Sequence, residues 1–302
     1  MKTNLLDATI VKTTEILPRA NHIEIDQQTV TICAFDASES RESLAHQTIQ
    51  VIASGPSIAD LAFAAIQDRA TIFVNGSISL LAEHAFDKVA GYVISDARFI
   101  RHRPEIFKDH YNGQPLYATL AVFEALAIAH SDILLTHHKA MRVICPVDRH
   151  WGVQSNRSWL SKLTFKRRRL NKKRPLSDFS DHPNLVIDSN HRPAIGVSLD
   201  VTDGFVEAGT VAYVAAQLAF SRQTSEIHLY GIDLLNTNQP RFYENLNNSA
   251  PCKLDKAITD RIVPSFDLLA QVYKARGVMV YNHSEVSKDL FHNLVYQATD
   301  QI

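Results

Sequence analysis

The chain has 302 residues, a hydrophobic fraction of 45% and a formal net charge of -1 at pH 7. This length suits one large α/β domain, or one such domain that carries an insertion. No run of about 18 apolar residues occurs, and the first residues lack the pattern of a secretory signal. Three scattered cysteines form neither a disulfide framework nor a paired metal spacing. The composition therefore predicts a cytoplasmic protein with no membrane span.

Residues 1–46 are predicted to be an accessory segment, in which 22–35 have the β-branched content of one or two strands. From residue 48 onward, short apolar runs alternate with segments of helical spacing. The predicted strands of this half are 48–54, 71–75, 91–96, 115–120 and 141–147. The predicted helices are 58–67, 77–86, 97–107 and 121–130.

The second half resumes the pattern with a helix at 207–220, a strand at 226–233, a helix at 262–277 and a strand at 278–282. This alternation predicts βαβ units in an α/β, Rossmann-like, mostly parallel sheet with flanking helices. The α/β domain would comprise 47–149 and 195–302. In such sheets ligands bind at the carboxyl ends of the strands.

A basic segment separates the two halves and is predicted to be an insertion or lid over 150–194. Its residues 159–175 contain eight Lys or Arg and no acid. Such a run can bind nucleic acid or an anionic membrane, or form a solvated surface. Neighbouring aromatic and aliphatic residues favour a membrane or phosphorylated lipid, and clustered stacking aromatics for RNA are missing. The acceptor- or membrane-facing residues predicted here are Lys166, Arg167, Arg168 and Arg169.

Polar and small residues follow three predicted strands of the first half. They are Gly55, Pro56 and Ser57, then Asn75, Gly76 and Ser77, then Asp96. A glycine turn that opens a helix exposes N–H groups to an anion, and an asparagine can bind a pyrimidine or ribose. The same residues also serve as turns and helix caps, and Asp96 taken alone favours a cap.

A second group occurs in the latter half, at a predicted helix start, a strand end and the loop after it. It comprises Ala208, Gly209 and Thr210, then Gly231, Ile232 and Asp233, then Arg241, Tyr243 and Glu244. An arginine and a tyrosine hydroxyl together can hold a phosphate as its charge develops. The structural alternatives are that the small residues at the helix start allow close helix–sheet packing, and that the residues after the strand form a polar surface loop.

The order of these motifs resembles the bacterial sialyltransferases of glycosyltransferase family 42, over 49–58, 71–76, 207–233 and 266–284. The stretch from Ile72 to Phe99 is still more similar to lipopolysaccharide-core proteins assigned to transfer of an extra Kdo (3-deoxy-D-manno-octulosonic acid) residue. Kdo and sialic acid are both α-keto acid sugars that are activated as CMP esters. The resemblance therefore implies a variant of the GT-A glycosyltransferase fold and a CMP-sugar donor.

The resemblance places the glycine–proline–serine loop near the donor phosphate, Asn75 at the cytidine or sugar, and Gly209 at the start of the donor-binding helix. It also implies that Tyr243 is the phosphate-binding tyrosine. Ala208 stands where the sialyltransferases have a serine, and Leu235 where they have a tyrosine. No histidine lies between Gln239 and Tyr281 to act as their base. The candidate bases are instead the carboxylates Asp255, Asp260, Glu244, Asp233 and Asp96.

The resemblance thus implies inverting transfer of a CMP-activated ulosonic acid, Kdo or a sialic-acid-like sugar, onto the lipopolysaccharide inner core. The implied partners are the CMP-sugar, a lipid A-core acceptor and the inner face of the inner membrane, without nucleic acid; a homo-oligomer is left open. No cofactor is expected, and the metal motifs H-E-x-x-H and D-x-D do not occur. The alternatives are a transferase like pterin pyrophosphokinases or flagellin-glycosylation factors, or a non-catalytic protein that binds anionic membranes.

Overall fold

A computed structural model describes residues 20–25, 27–38, 44–149, 173–235, 239–244 and 257–299. The strands are β1 (Ala20–Ile25), β2 (Gln28–Cys33), β3 (Thr48–Ile52), β4 (Ala70–Val74), β5 (Lys88–Ile94), β6 (Leu116–Ala118), β7 (Met141–Val143), β8 (Leu185–Asp188), β9 (Ile195–Ser198), β10 (Glu226–Tyr230), β11 (Met279–Asn282) and β12 (Val295–Tyr296). The α-helices are α1 (Ala97–His102), α2 (Pro104–His110), α3 (Leu120–Ala129), α4 (Ser131–His137), α5 (Val211–Ser221) and α6 (Val263–Lys274).

Eight strands form the central sheet in the order β12-β11-β10-β3-β4-β5-β6-β7, and each neighbouring pair is parallel. The predicted α/β fold with a mostly parallel sheet is therefore confirmed. The chain builds outward from β3 to β7 and then resumes on the other side of β3 with β10. This reversal of strand order opens a crevice beyond the carboxyl ends of β3 and β10, where ligands bind in open α/β sheets.

Apolar side chains alternate between the two faces of the sheet and build a core on each. Ile49 and Val51 of β3 face one core, which also contains Tyr213 of α5 and Phe266 of α6. Ile52 faces the other core, which is closed by helices α1 to α4 and by the β1–β2 hairpin. Because β3 is covered on both faces, it is a nearly continuous apolar run in the sequence.

The helices predicted at 58–67 and 77–86 are wrong. Short 3₁₀ turns occupy these positions, at Pro56–Asp60, Phe63–Ala65 and Asn75–Ala82. Side chains take up the local backbone groups: Gln50 Nε2 donates to Ile66 O at 2.7 Å, and the Val74 N–H donates to Ser77 Oγ at 2.8 Å. The helix predicted at 97–107 is split into α1 and α2, because Pro104 has no N–H to continue it.

The predicted insertion is described from residue 173 onward, and Lys166, Arg167, Arg168 and Arg169 lie outside the described residues. Strands β8 and β9 pair as an antiparallel hairpin, and β9 begins at Ile195, directly after the predicted boundary at residue 194. The lid and the domain boundaries therefore stay predictions. Within the described residues no single helix is long and apolar enough to cross a membrane; α3 and Ser131–Ala140 pass that test only as a pair bent by 120°.

Candidate functional site

The crevice begins where the loops after β3 and β10 run side by side. The Ala53 N–H donates to Tyr230 O at 2.9 Å, and the Gly55 N–H donates to Gly231 O at 3.0 Å. A side chain at Gly55 would lie 2.6 Å from Gly231 O, so only glycine allows this approach. Gly231 itself has φ of +70°, a conformation that favours glycine. The two glycines thus let two backbone segments meet at the sheet edge.

Asp233 joins the loops that follow three neighbouring strands. Its Oδ2 accepts from the Ser57 N–H at 2.7 Å, and its Oδ1 accepts from Ser57 Oγ at 2.8 Å. Ser284 Oγ, beyond β11, donates to the same Oδ1. Three donors therefore engage this carboxylate, which fixes the loop containing Pro56 against the loop after β10.

Tyr243 and Asn75 form the wall of the crevice at the end of β4. The Tyr243 ring lies against Gly76, where a side-chain carbon would approach Cε1 to 2.1 Å, and its hydroxyl bonds the Ser54 side chain. Burial raises the pKa of Tyr243, so its hydroxyl remains a donor at neutral pH. Asn75 has φ of 49°, and its buried Oδ1 has no hydrogen-bond partner among the described residues.

Glu244 is buried between two arginines on the same side of the crevice. Arg241 Nη1 donates to its Oε1 at 2.8 Å, and Arg103 Nη2 lies 3.5 Å from the same oxygen. Only 2% of the Glu244 side chain is exposed. The pairing holds Arg241 next to Tyr243 and leaves little room for Glu244 to act on a ligand.

A cavity of about 740 Å³ opens farther along the same edge, at the ends of β5, β6 and β7 and at the N-terminus of α5. This volume lies within the range of small-molecule sites. Its lining includes Asp96 and Thr119 at strand ends, and Ala208, Gly209 and Thr210 at the start of the helix. Thr210 caps α5 by accepting from the Ala212 N–H at 3.4 Å.

Four arginines and two acids line this cavity. Arg98 pairs with Asp96 at 2.5 Å, and Arg149 pairs with Glu207 at 3.0 Å. The other two arginines are Arg101 and Arg261. The four positive and two negative charges give a net of +2, and the N-terminus of α5 adds a partial positive charge.

Arg261 reaches the cavity from a π-helical turn, Ile258–Ile262, that precedes α6. Its Nη2 donates to the carbonyl oxygen of Glu207. A π-helical turn widens the backbone by one residue per turn and occurs mostly at functional sites. The turn brings a side chain from the far end of the sequence to the start of α5.

Comparison with known proteins decides the family. Residues 32–294 match the profile of the family described as 3-deoxy-D-manno-octulosonic acid transferase WaaZ. The chain belongs to this Kdo transferase family. A probable 3-deoxy-manno-octulosonic acid transferase of Salmonella typhimurium is 25% identical over 221 residues, covering 72% of this chain and 76% of the relative. One from Escherichia coli is 22% identical over 254 residues, covering 83% and 82%.

Two solved structures also match, both of the sialyltransferase CstII from Campylobacter jejuni. One is its complex with a substrate analogue, cytidine-5'-monophosphate, at 10% identity and a TM-score of 0.40, covering 84% of this chain and 87% of that one. The other is its complex with CMP-3FNeuAc, at 12% identity and a TM-score of 0.36, covering 82% and 87%.

In this member of the Kdo transferase family, the predicted site residues fall into two neighbouring groups. The crevice contains the loops of Gly55 and Gly231 together with Asn75, Tyr243 and Arg241. The cavity contains Asp96, Ala208, Gly209 and Thr210. Asp255 lies outside the described residues.

Two predicted donor-binding residues have structural roles. Ser77 is fully buried, and its hydroxyl accepts from the Val74 N–H and donates to Ile52 O at 2.7 Å. Ile232 packs into the core that contains α5. Sequence reasoning missed the cavity arginines Arg101 and Arg261, because no motif marks them and they meet only in the fold.

In the part of the chain that is described, no three His, Cys, Asp or Glu side chains group as metal ligands. The most unusual histidines form a buried pair across β10 and the end of β11. His228 Nδ1 lies 2.8 Å from His283 Nε2. Burial lowers the pKa of His228 to about 4 and that of His283 to about 3, so both are neutral at pH 7.

Proposed function

We propose that this glycosyltransferase moves a CMP-activated ulosonic acid, Kdo or a sialic-acid-like sugar, onto the lipopolysaccharide inner core. Membership of the Kdo transferase family gives the glycosyltransferase activity and makes Kdo the first choice of sugar. CMP is proposed because Kdo and sialic acid are both activated as CMP esters. The reaction would take place at the inner face of the inner membrane, where the acceptor is assembled.

The observation that carries the proposal is the polar wall at the end of β4. The buried Asn75 Oδ1 lacks a partner among the described residues and points to a ligand that donates a hydrogen bond. A cytosine amino group or a ribose hydroxyl provides such a donor. Tyr243 and Arg241 lie on the same wall and offer a neutral hydroxyl and a guanidinium to a phosphate.

The proposed reaction is a single inverting displacement. The acceptor hydroxyl oxygen bonds to the anomeric carbon, and the bond from that carbon to the phosphate oxygen of CMP breaks. CMP leaves with the bonding electron pair, while a carboxylate takes the proton from the acceptor hydroxyl. Tyr243 and Arg241 stabilise the charge that develops on the phosphate, so the proposed reaction needs no metal, and EDTA is expected to leave the rate unchanged.

Among the candidate bases, Asp96 suits the role best. Asp233 is engaged by serines, Glu244 by arginines, and Asp96 likewise by the N–H and Nε of Arg98 at 2.8 and 2.7 Å. Asp96 is the one of the described candidates that lines the open cavity. Partial burial raises its pKa, but the hydrogen bonds from Arg98 outweigh this and leave the pKa below its usual value. Asp96 is therefore ionised at neutral pH and ready to accept a proton, although as a weak base.

Isothermal titration with CMP tests the donor directly. Wild-type protein is expected to bind CMP, and Tyr243→Phe or Asn75→Ala is expected to weaken binding by roughly tenfold each, since each removes one hydrogen-bonding group. Arg276→Gln, at the end of α6 on the opposite edge of the sheet, is the matched control. Preference for ATP over CMP, or no binding of CMP, would contradict the proposal.

A further inference from the structure

We infer that Tyr92 is a positioning residue of the proposed donor site, and that its hydroxyl holds the backbone of Asn75 so that the Asn75 side chain faces the donor. The inference rests on the proposed function for the role of Asn75 and for CMP as its ligand. Tyr92 lies in β5, opposite Phe73 of β4, and is fully buried. Because it is buried, Tyr92 would act on a ligand only through its neighbours.

The backbone of Asn75 has a conformation that few residues adopt. Its φ of 49° lies in the left-handed region, which asparagine enters more readily than most residues other than glycine. Asn75 comes directly after β4, where the chain leaves the sheet and a 3₁₀ turn begins. A backbone conformation of this kind persists only where the surrounding structure holds it. The contacts of the Asn75 backbone are therefore important for the direction of its side chain.

The Tyr92 hydroxyl provides such a contact from the neighbouring strand. It donates to the carbonyl oxygen of Asn75 at 2.8 Å. Burial raises the pKa of Tyr92, so the hydroxyl stays protonated and donates at neutral pH. The Tyr92 ring packs in turn against Phe107 and Tyr111, whose ring centroids lie 6.2 and 6.3 Å from its own. A donor on a well-packed ring therefore fixes the position of a carbonyl group at the crevice.

The side chain of Asn75 is left for a ligand by this arrangement. Its Oδ1 is buried and has no hydrogen-bond partner in the described part of the chain. The next residue, Gly76, has contacts of its own, because its carbonyl accepts from Ser79 Oγ at 2.9 Å and the Tyr243 ring lies against it. Once Tyr92 holds the Asn75 carbonyl, the side-chain torsions are the main freedom that remains to Asn75. The hydroxyl of Tyr92 thus limits the directions in which Oδ1 can point.

Isothermal titration of the full-length Tyr92→Phe protein with CMP tests the inference, since this change removes the hydroxyl and keeps the ring. CMP affinity is expected to fall roughly threefold to tenfold, because Asn75 loses the hydrogen bond that fixes it. Tyr111→Phe is the matched control. It removes a buried hydroxyl from the same group of rings, one without a partner among the described residues, and is expected to bind CMP like the wild type. Urea unfolding of each variant verifies that it is folded.

A double-mutant cycle with Asn75→Gly separates positioning from a general effect on the structure. Glycine accepts the left-handed conformation but has no side chain to position. If Tyr92 acts through the Asn75 side chain, Tyr92→Phe will not weaken CMP binding further in the Asn75→Gly protein. An equal loss in both backgrounds, or wild-type affinity in Tyr92→Phe alone, would overturn the inference and leave the proposed function standing. Failure of CMP to bind the wild type would contradict the proposed function, and the inference with it.

Discussion

Replacing Gly76 by alanine tests the contact between Gly76 and Tyr243 in the proposed donor site. The backbone of Gly76 is not in the left-handed region, so alanine fits the main chain and the effect comes from the added methyl group. That methyl carbon would lie 2.1 Å from Tyr243 Cε1 and 2.3 Å from Cζ. Ordinary carbon contacts are about 3.5–4.0 Å, so the ring must move by roughly 1.5 Å.

The size of the effect follows from two contributions. Overpacking of this kind costs about 1–3 kcal/mol of stability. Displacing the Tyr243 hydroxyl would remove its proposed hydrogen bond to the charged phosphate, worth about 1.5–3 kcal/mol, and so lower CMP affinity at least about tenfold. Isothermal titration with CMP and urea unfolding measure the two contributions separately.

A double-mutant cycle with Tyr243→Phe shows whether the methyl group acts through the hydroxyl. If it does, Gly76→Ala combined with Tyr243→Phe will bind CMP no more weakly than Tyr243→Phe alone. Wild-type CMP affinity in the Gly76→Ala protein would refute the placement of the tyrosine in the donor site. Additive losses would show that the methyl group itself obstructs the nucleotide.

Three further predictions concern stability and pH. Asp233→Asn keeps one acceptor oxygen and is expected to cost about 1–2 kcal/mol in urea unfolding, less than Asp233→Ala, which leaves all three donors without an acceptor. Equal losses in the two variants would contradict the described hydrogen bonds from Ser57 and Ser284 to Asp233. The pKa values of His228 and His283 are lowered in the folded protein, so their contribution to stability is complete above about pH 6.5 and is lost as the pH falls toward 4 and 3. For two protons the free energy of unfolding falls by up to about 2.7 kcal/mol per pH unit in this range. Replacing both histidines by leucine should flatten the dependence of the urea-unfolding free energy on pH there. Arg98→Ala should raise the pKa of Asp96, so the acid limb of the transfer rate against pH should move to higher pH; an unmoved limb would exclude Asp96 as the base.

The parallel sheet could be predicted because its strands are short apolar runs that are covered on both faces. The same reasoning failed for 58–67 and 77–86, where apolar spacing resembles a helix. There Gln50 Nε2 donates to Ile66 O and Ser77 Oγ donates to Ile52 O, and both pairs of partners are brought together by the tertiary fold. The local pattern of apolar residues therefore predicted the strands of the sheet better than the segments that connect them.

The crevice was largely predictable because glycine, asparagine and aspartate directly follow strands, and strand ends converge at one edge. The cavity was not, because its charge comes from arginines distant in sequence. Arg101 lies at the end of α1 and Arg261 in a π-helical turn, and neither position has a sequence signature. Asp233 was predicted as a ligand or base, but its three donors, two on Ser57 and one on Ser284, could be recognised only once β3 and β11 were placed on either side of β10.

The central position of β3 has a consequence for how the protein is made. Thr48 is opposite Glu226 and Ile52 is opposite Tyr230, so β3 completes its hydrogen bonding only after most of the chain has left the ribosome. Pairings between residues so distant in sequence form slowly. Until β10 arrives, the edge of β3 presents unpaired backbone groups that invite association with other chains. Shortened chains that end before residue 226 should therefore aggregate during synthesis, even though they contain four of the strands that follow β3 in the sheet.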